Sequence, residues 1–322
     1  MIIPSPSTYR PSLSDFKQAA ERIKGIALRT PLIPLRTYDE DPGIVLKPEM
    51  IQPIGSYKIR GVYNWVKKLS PEQREKGIST ASSGNMAQAV AYTAKLFNIP
   101  ARTIVFDTTP QIKIDSIQKY GGEVVRKTFD EWVEYTINPD ADRSFLHPLE
   151  EFGLVDGHGT IGLEIMEDAP DVETIYVALG AGFLGSGIAL ALKALKPSVK
   201  VVGVNSENSP HYYECYKEGK VVDTVTKPTL GDGNAVNLGA FPNSDKVLRL
   251  VQEVIDDVVL VSENEIAEAI RYLAVENKLI NEGSSAMSLA AALNARIEKR
   301  GKTVCILTGG SIDPEKLVKI LK

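Results

Sequence analysis

Apolar segments with the length and composition of β-strands alternate with helical segments along most of this chain. The expected strands are 44–46, 77–80, 101–106, 123–126, 173–178, 199–204, 257–261 and 303–307. The segments between several of them have the length and periodicity of helices. This order is typical of βαβ units, whose strands run parallel within a sheet. Because 322 residues are too many for one such sheet, we expect two α/β domains with mostly parallel sheets.

Local sequence signals mark where some of the helices begin. Ser14 is expected to cap a first amphipathic helix. Thr109 and Pro110 are expected to be the N-cap and the first-turn residue of a later helix. Ser262 and Glu265 have the spacing of a capping box, in which each residue bonds the backbone N–H of the other. These signals fix helix starts more firmly than the apolar periodicity does.

The composition argues against several classes of function. A formal net charge of −4 gives no electrostatic reason to expect a nucleic acid or an anionic membrane as partner. Cys215 and Cys305 are too few for a disulfide framework, and no Cys/His cluster has metal-ligand spacing. The first residues lack the features of a signal peptide. The uncharged segment 175–192 contains glycines that fit a buried strand, a turn and a helix better than a membrane span. We therefore expect a cytoplasmic protein.

A glycine-rich loop follows the expected strand 173–178. Its spacing, G-A-G-F-L-G at 180–185, is that of a dinucleotide-binding turn between a strand and a helix. That reading requires an acidic residue at the end of the next strand to hold a ribose. Asn205 stands there instead, and Glu207 comes two positions later. The loop is therefore expected to bind an anion, and its kind must be decided by other segments.

The segment Q-P-I-G-S-Y-K-I-R-G at 52–61 places Lys58 at the start of a helix with apolar neighbours. Most lysines on amphipathic helices are solvated. Desolvation and a helix N-terminus, however, both favour the uncharged amine that a Schiff-base lysine needs. Lys58 is therefore a candidate for covalent chemistry.

The segment S-S-G-N-M-A-Q at 82–88 follows an expected strand and opens a helix. Its Ser82, Ser83, Gly84 and Asn85 offer N–H and hydroxyl donors that suit a carboxylate. An ordinary N-cap turn has the same composition, so this segment alone does not decide between the two.

Together these segments resemble the fold-type II pyridoxal-phosphate enzymes, in particular the serine/threonine dehydratase and serine racemase branch. The lysine segment resembles that branch's Q-P-T-G-S-F-K-I-R-G, and 82–88 resembles its substrate-carboxylate loop. The segment D-G-H-G-T-I-G-L-E at 156–164 resembles the family's G-Q-G-T-I-x-x-E segment. The segment G-A-G-F-L-G-S-G at 180–187 lies where the family has its phosphate cup. The segment L-T-G-G-S-I-D at 307–313 resembles the family's S-G-G-N-x-D turn. The order holds over nearly the whole chain. The resemblance implies two three-layer α/β/α domains of the tryptophan synthase β-like kind, with pyridoxal 5′-phosphate as the cofactor.

The resemblance also implies roles for individual residues. Lys58 would bind the cofactor covalently and act as the catalytic base, Asn85 would bind the phenolic oxygen of the cofactor, and Thr308 would face its pyridine nitrogen. The backbone N–H groups that would hold the phosphate belong to Gly180, Ala181, Gly182, Phe183 and Leu184. The residues that would hold the substrate carboxylate are Ser82, Ser83, Gly84, Asn85 and Met86.

The reaction implied is β-elimination, in which a small β-hydroxy amino acid such as threonine or serine gives a 2-oxo acid and ammonia. A hydroxyl at Thr308 does not favour a protonated pyridine nitrogen, and the weaker electron sink that results suits elimination better than transamination. Ser83 occupies the place that faces the other side of Cα in racemases of this group. Racemisation is therefore expected as a side or main activity.

Several positions depart from the family's pattern. Ile54 stands for a threonine and Met86 for a histidine, while Ala181 and Phe183 stand for glycines of the phosphate cup. Phe183 is the residue most at risk if the cup needs a positive φ. Such departures in the cup also occur in relatives that catalyse β-replacement.

The divalent-cation site of the branch is also altered. Lys227 stands about where its first acid would be, although Asp232 remains. We therefore expect no tightly bound metal. The chain ends at Lys322 without a regulatory ACT-type domain, which favours an unregulated or catabolic enzyme, and the family implies a homodimer.

Three alternatives stay open at this point. β-Replacement, as in cysteine or threonine synthesis, uses the same cofactor, although Ile59-Arg60-Gly61 after the lysine favours the dehydratase branch. A nicotinamide-dependent oxidoreductase would use 180–185 as a nucleotide loop. A cofactor-free binding protein on a degenerate version of this fold is disfavoured by the intact Lys58.

The resemblance gives an expected domain division. Residues 1–77 and 153–322 would form the larger, cofactor-binding domain. Residues 78–152 would form a smaller, mobile domain that carries the substrate-carboxylate loop. The least regular segment, 128–158, is expected to carry the crossing between them.

Overall fold

The parallel strands form two separate sheets in a computed structural model, which describes residues 9–37, 43–236, 243–295 and 297–322. The strands are β1 Ile33–Pro34, β2 Ile44–Pro48, β3 Ile78–Ala81, β4 Ala101–Phe106, β5 Glu123–Lys127, β6 Ser144–Leu146, β7 Thr174–Ala178, β8 Lys200–Ser206, β9 Asp257–Val261 and β10 Thr303–Leu307. A six-stranded sheet has the order β1-β2-β10-β7-β8-β9, and a four-stranded sheet has the order β5-β4-β3-β6. Every named pair is parallel except β1 with β2. The expectation of mostly parallel sheets is confirmed.

Helices pack on both faces of each sheet. They are α1 Leu13–Ile23, α2 Lys58–Lys68, α3 Pro71–Glu75, α4 Asn85–Phe97, α5 Gln111–Gln118, α6 Phe129–Ile137, α7 Val155–Asp168, α8 Phe183–Leu195, α9 His211–Glu218, α10 Ser244–Val254, α11 Glu263–Val275, α12 Gly283–Asn294, α13 Ile297–Arg300 and α14 Pro314–Leu321. On the large sheet, α2, α7, α8 and α10 share one apolar core, and α11, α12 and α14 share the other. On the small sheet, α4 and α5 cover one face and α6 the other. Both units therefore have the expected three layers.

The predicted capping box at Ser262 is present, and two other predicted helix starts are wrong. Ser262 Oγ accepts from the Glu265 backbone N–H at 3.3 Å, and the Glu265 carboxylate accepts in return at 2.6 Å. Helix α1 begins at Leu13, because its N-cap is Ser12, two residues before the expected Ser14, and Ser12 forms a capping box with Asp15. Helix α5 has Pro110 itself as N-cap.

The segment 128–158 is more regular than its composition suggests. Thr128 caps α6 through a capping box with Glu131, and the buried Trp132 and Tyr135 hold that helix on the small sheet. Strand β6 then pairs with β3, and α7 begins at Val155. The four-stranded sheet lies between residues 78 and 146, so the proposed domain division is compatible with the sheets. The division and the mobility of the smaller domain stay predictions.

The uncharged segment 175–192 forms most of β7, a glycine turn and most of α8, as expected. Among the described residues, no helix has both the length and the apolar character needed to cross a membrane. Cys215 and Cys305 are both buried and unbridged. In a parallel sheet the loops after the strands gather at the carboxyl edge, and the candidate residues lie there.

Candidate active site

The first turn of α2 presents Lys58 beside the end of β10. Gly55 accepts a hydrogen bond from the Gly310 backbone N–H at 3.0 Å, and Tyr57 donates its backbone N–H to the Thr308 carbonyl at 3.1 Å. Lys58 is the first residue of α2, and its Nζ lies 4.9 Å from the centroid of the Tyr57 ring. The fold therefore brings together the lysine and the threonine that sequence analysis selected from opposite ends of the chain.

A buried ionic cluster fixes α2 from behind. Arg60 is 1% exposed and donates to Glu49 at 2.7 and 2.8 Å and to Glu164 at 2.6 and 3.0 Å. Lys47 donates to the same Glu164 carboxylate at 2.5 Å. Burial alone raises the pKa of the Glu49 carboxyl, but Arg60 and Lys47 outweigh burial and lower that pKa below its usual value. The cluster ties the lysine helix to the segment after β2 and to α7.

The glycine loop joins β7 to α8, and the position in this loop that has a positive φ is a glycine. Gly182 has φ +82° and is the N-cap of α8. Phe183 is the first helical residue, and its ring is buried against Phe152 with ring centroids 5.2 Å apart. The side chain of Phe183 is thus part of the core. Its backbone N–H, with those of Ala181 and Leu184, belongs to the α8 N-terminus, where the helix dipole favours an anion.

We expect Gly182→Ala to destabilise the protein and to weaken anion binding. Alanine at this φ costs about 1–2 kcal/mol. Its Cβ would also lie 2.6 Å from Tyr212 Oη and 2.8 Å from Val251 Cγ2, which adds about 1–3 kcal/mol of overpacking. Gly219→Ala is the matched control, because Gly219 has φ +71° with no atom within 4 Å of the added Cβ. Urea unfolding of both variants measures the difference, and equal losses would remove the steric part of this explanation.

The segment 82–86 forms the turn that begins α4. Ser82 Oγ accepts from the Gly84 backbone N–H at 3.3 Å, and a Cβ added to Gly84 would meet no atom within 4 Å. Ser82, Ser83, Gly84 and Asn85 are partly exposed. Met86 is only 4% exposed and packs in the core. The turn therefore leaves open space beside its hydrogen-bond donors. Because the Met86 side chain packs in the core, Met86 would meet a substrate carboxylate with its backbone and not with a flexible side chain.

Asn85 is held by a carboxylate that sequence analysis missed. Its Nδ2 donates to both oxygens of Glu282 at 3.1 Å, and its Oδ1 accepts from Ser311 Oγ at 2.7 Å. The Ser311 backbone N–H also donates to Glu282 at 3.1 Å. Burial raises the pKa of the Glu282 carboxyl. No sequence signal marks Glu282, because a single acid before a helix is normally a solvated cap.

Unpaired polar atoms and glycines also lie beside the lysine helix, the glycine loop and the start of α12. The buried hydroxyls of Ser56 and Ser284 have no hydrogen-bond partner within the part of the chain that the structure describes. A Cβ on Gly233 would lie 2.9 Å from Ser284 Oγ, and a Cβ on Gly180 would lie 3.0 Å from Asn234 Nδ2. The segment around Asn234 therefore connects the glycine loop to the start of α12.

The nucleotide alternative has no acid to support it. Asn205 is 1% exposed, donates to the Leu179 carbonyl at 2.8 Å and accepts from the Tyr213 backbone N–H at 3.0 Å. The Asn205 side chain therefore forms structural hydrogen bonds within the protein. Glu207, two positions later, is exposed. Two parallel α/β units, with a lysine helix and a glycine loop at their carboxyl edges, define the architecture of a fold-type II enzyme.

Comparison with known proteins identifies the family. Residues 23–309 match the family described as pyridoxal-phosphate dependent enzyme. An L-threonine ammonia-lyase of Thermotoga maritima is 39% identical over 317 residues, which cover 96% of this chain and 78% of the relative. The structure of maize serine racemase matches with a TM-score of 0.88 and 29% identity, covering 97% of each chain. The processed form of threonine deaminase isoform 2 from Solanum lycopersicum matches with a TM-score of 0.84 and 31% identity, covering 99% of this chain and 96% of that one.

This chain belongs to the pyridoxal-phosphate-dependent enzyme family, and pyridoxal phosphate is its cofactor. The residues present fit that group. Gly182 supplies the sharp turn of a phosphate loop, and the unpaired Ser56 hydroxyl lies next to the lysine helix. The expected resemblance, fold class and cofactor are thus confirmed, while the roles given to single residues stay predictions.

The predicted absence of a tightly bound metal also stays a prediction. Within residues 9–37, 43–236, 243–295 and 297–322, no cluster of three or more His, Cys, Asp and Glu side chains has the geometry of a metal site. Asp232 lies 3.8 Å from the ammonium group of Lys316.

Proposed function

We propose that this protein is a pyridoxal-phosphate-dependent ammonia-lyase that converts threonine, and more slowly serine, to a 2-oxo acid and ammonia. The observation that carries the proposal is the placement of Lys58 beside Thr308 at the edge of the large sheet. A hydroxyl at position 308 favours elimination over transamination. The relatives from Thermotoga maritima and Solanum lycopersicum are named L-threonine ammonia-lyase and threonine deaminase, which supports the choice of substrate.

The cofactor, when bound, supplies the electron sink that stabilises the carbanion left after the Cα proton is removed. Lys58 is the residue that holds it covalently, and its freed amine takes the Cα proton of the substrate. The N-terminus of α8, from Gly180 to Leu184, binds the phosphate. Thr308 faces the pyridine nitrogen as an uncharged partner.

The turn 82–86 binds the substrate carboxylate through its N–H and hydroxyl donors, which lie at the start of α4 where the helix dipole favours an anion. Ser83 faces the opposite side of Cα from Lys58. Its hydroxyl can return a proton to that face, which accounts for racemisation as a side activity, and the likeness to maize serine racemase supports this. Asn85, whose Nδ2 donates to both oxygens of Glu282, is the residue that would bind the phenolic oxygen of the cofactor.

The overall reaction balances without an added oxidant. The Cα proton and the β-hydroxyl leave as water, and the unsaturated amine that is released takes up water to give the 2-oxo acid and ammonia. We also propose that the protein works in the cytoplasm, and that it is a homodimer, as the resemblance implies.

The test is product analysis with three substrates. Purified protein loaded with pyridoxal phosphate is incubated with L-threonine, L-serine and 3-hydroxyaspartate, and 2-oxo acid and ammonia are measured together. We expect equal amounts of both products, fastest from threonine. Parallel incubation of O-acetylserine with sulfide tests β-replacement, and chiral chromatography of remaining substrate tests racemisation. Sulfide incorporation without 2-oxo acid from any hydroxy amino acid would contradict the proposal.

A further inference from the structure

The proposed mechanism leaves unused a buried imidazole between the lysine helix and the glycine loop. His158 lies in α7 and is 1% exposed. Its ring packs edge-on against the Tyr57 ring, with centroids 4.9 Å apart. A Cβ on Gly61 would lie 2.4 Å from His158 Nε2, and a Cβ on Gly187 would lie 3.3 Å from His158 Cβ. The imidazole therefore packs against the first turn of α2, and the Cβ of His158 packs against the second turn of α8, so the residue fills the gap between these two helices.

This position differs from the pattern of the related branch. The family's segment reads G-Q-G-T where this chain has Gly157-His158-Gly159-Thr160, and it reads S-F-K where this chain has Ser56-Tyr57-Lys58. The two altered side chains, Tyr57 and His158, touch each other. Glutamine, the residue of that pattern, is the natural comparison at position 158.

The surroundings of the imidazole favour its uncharged form. Burial lowers the pKa of His158 well below its usual value, and the positive charges of Lys58 and Arg60 on α2 lower it further. The backbone of Phe183, at the start of α8, acts in the opposite direction. Among the described residues, neither ring nitrogen has a hydrogen-bond partner of good geometry. An unpaired buried polar group is costly.

We propose that His158 is a positioning residue, whose side chain holds the first turn of α2, and Lys58 with it, at a fixed distance from α8, the helix that follows the glycine loop. This inference rests on the proposed role of Lys58 as the cofactor-binding lysine. Substitution of His158 by alanine leaves the gap empty and lets the lysine helix shift. Glutamine keeps an uncharged amide of similar length in the same gap.

The charge state is tested first, without reference to activity. The chain contains three histidines, so ¹⁵N-histidine NMR of the protein gives few signals, and His158→Gln identifies those of His158 by their loss. We expect them to titrate well below 6.5. A group with a lowered native pKa gives stability that is present above its unfolded pKa and is lost as pH falls below it. The urea midpoint of the wild type should therefore fall more between about pH 7.5 and 5.5 than that of His158→Gln.

His147 and His211 also have lowered pKa values, but they contribute equally to the stability of the wild type and of His158→Gln. The difference in stability between these two proteins is therefore due to His158. A His158 signal that titrates near 6.5, with parallel pH profiles of stability, would contradict the burial of the ring between the two helices, on which the proposal rests.

The positioning role is tested with His158→Ala and His158→Gln on the loaded protein. A misplacement of about 1 Å costs about 100-fold in rate. We therefore expect His158→Ala to lose about 10- to 100-fold in kcat with little change in KM, and to release its cofactor faster on dialysis, followed by visible absorption. His158→Gln should stay close to the wild type in both. Cofactor retention and kcat in His158→Ala equal to those of the wild type would refute the positioning role. If no protein, wild type included, takes up the cofactor, the role assigned to Lys58 fails, and this inference fails with it.

Discussion

Lys58→Ala is expected to lower turnover by at least about 1,000-fold and to leave the fold intact. The amine supplies both the covalent attachment and the proton transfer at Cα, and a positioned acid or base alone contributes about 10²–10⁴-fold. Lys58 is only partly buried and lies outside the ionic cluster around Arg60, so its loss removes no structural ion pair. Turnover of threonine and the circular dichroism spectrum measure the two parts of this expectation.

Lys67→Ala is the matched control for that variant, because Lys67 lies on the same helix and is exposed. Borohydride reduction followed by peptide mapping should place the reduced cofactor on the Lys58 peptide in both the wild type and Lys67→Ala. Cofactor on another lysine, or wild-type turnover in Lys58→Ala, would disprove the assignment.

Arg60→Met is expected to cause the largest loss of stability among single substitutions at the charged cluster. The substitution leaves Glu49, which is 0% exposed, and the partly buried Glu164 without their shared cation. Removing one partner of a buried ion pair typically costs about 3–5 kcal/mol, because the remaining charge stays buried. Urea unfolding near neutral pH measures the change in the free energy of unfolding.

The control for charge removal itself is Arg29→Met. Arg29 pairs with Glu167 at 3.0 Å and with Asp168 at 2.7 Å, but its side chain is 50% exposed. Exposed pairs contribute less than about 1 kcal/mol. Similar losses in the two variants would show that burial of the Arg60 cluster does not set its contribution.

Arg60→Met should also affect the active site, because Arg60 lies in the first turn of α2, the helix that begins at Lys58. A stability loss accompanied by weaker cofactor retention would indicate that the cluster positions the lysine helix. A stability loss alone would indicate that the helix start is fixed sufficiently by its pairing with residues 308–310.

The residues that sequence analysis located correctly are those with strong local patterns. Strands 101–106, 257–261 and 303–307 were predicted at their observed bounds, because runs of β-branched and apolar residues are typical of buried parallel strands. The predicted capping box at Ser262 was confirmed, because its two hydrogen bonds involve residues three apart. The wrong N-cap at Ser14 reflects a neighbouring serine that forms the same box with Asp15.

The sequence by itself determined the class of fold and the family and selected Lys58 as the candidate lysine, because these depend on periodicity and on motifs that are continuous along the chain. Only the tertiary structure decided which side chains act together. Glu282 meets Asn85 across 197 positions, and Arg60 meets Glu164 across 104. His158 meets Tyr57 only because α7 packs on α2. A buried charge or imidazole is stabilised by whichever partners the packing brings to it, and no local pattern contains that information.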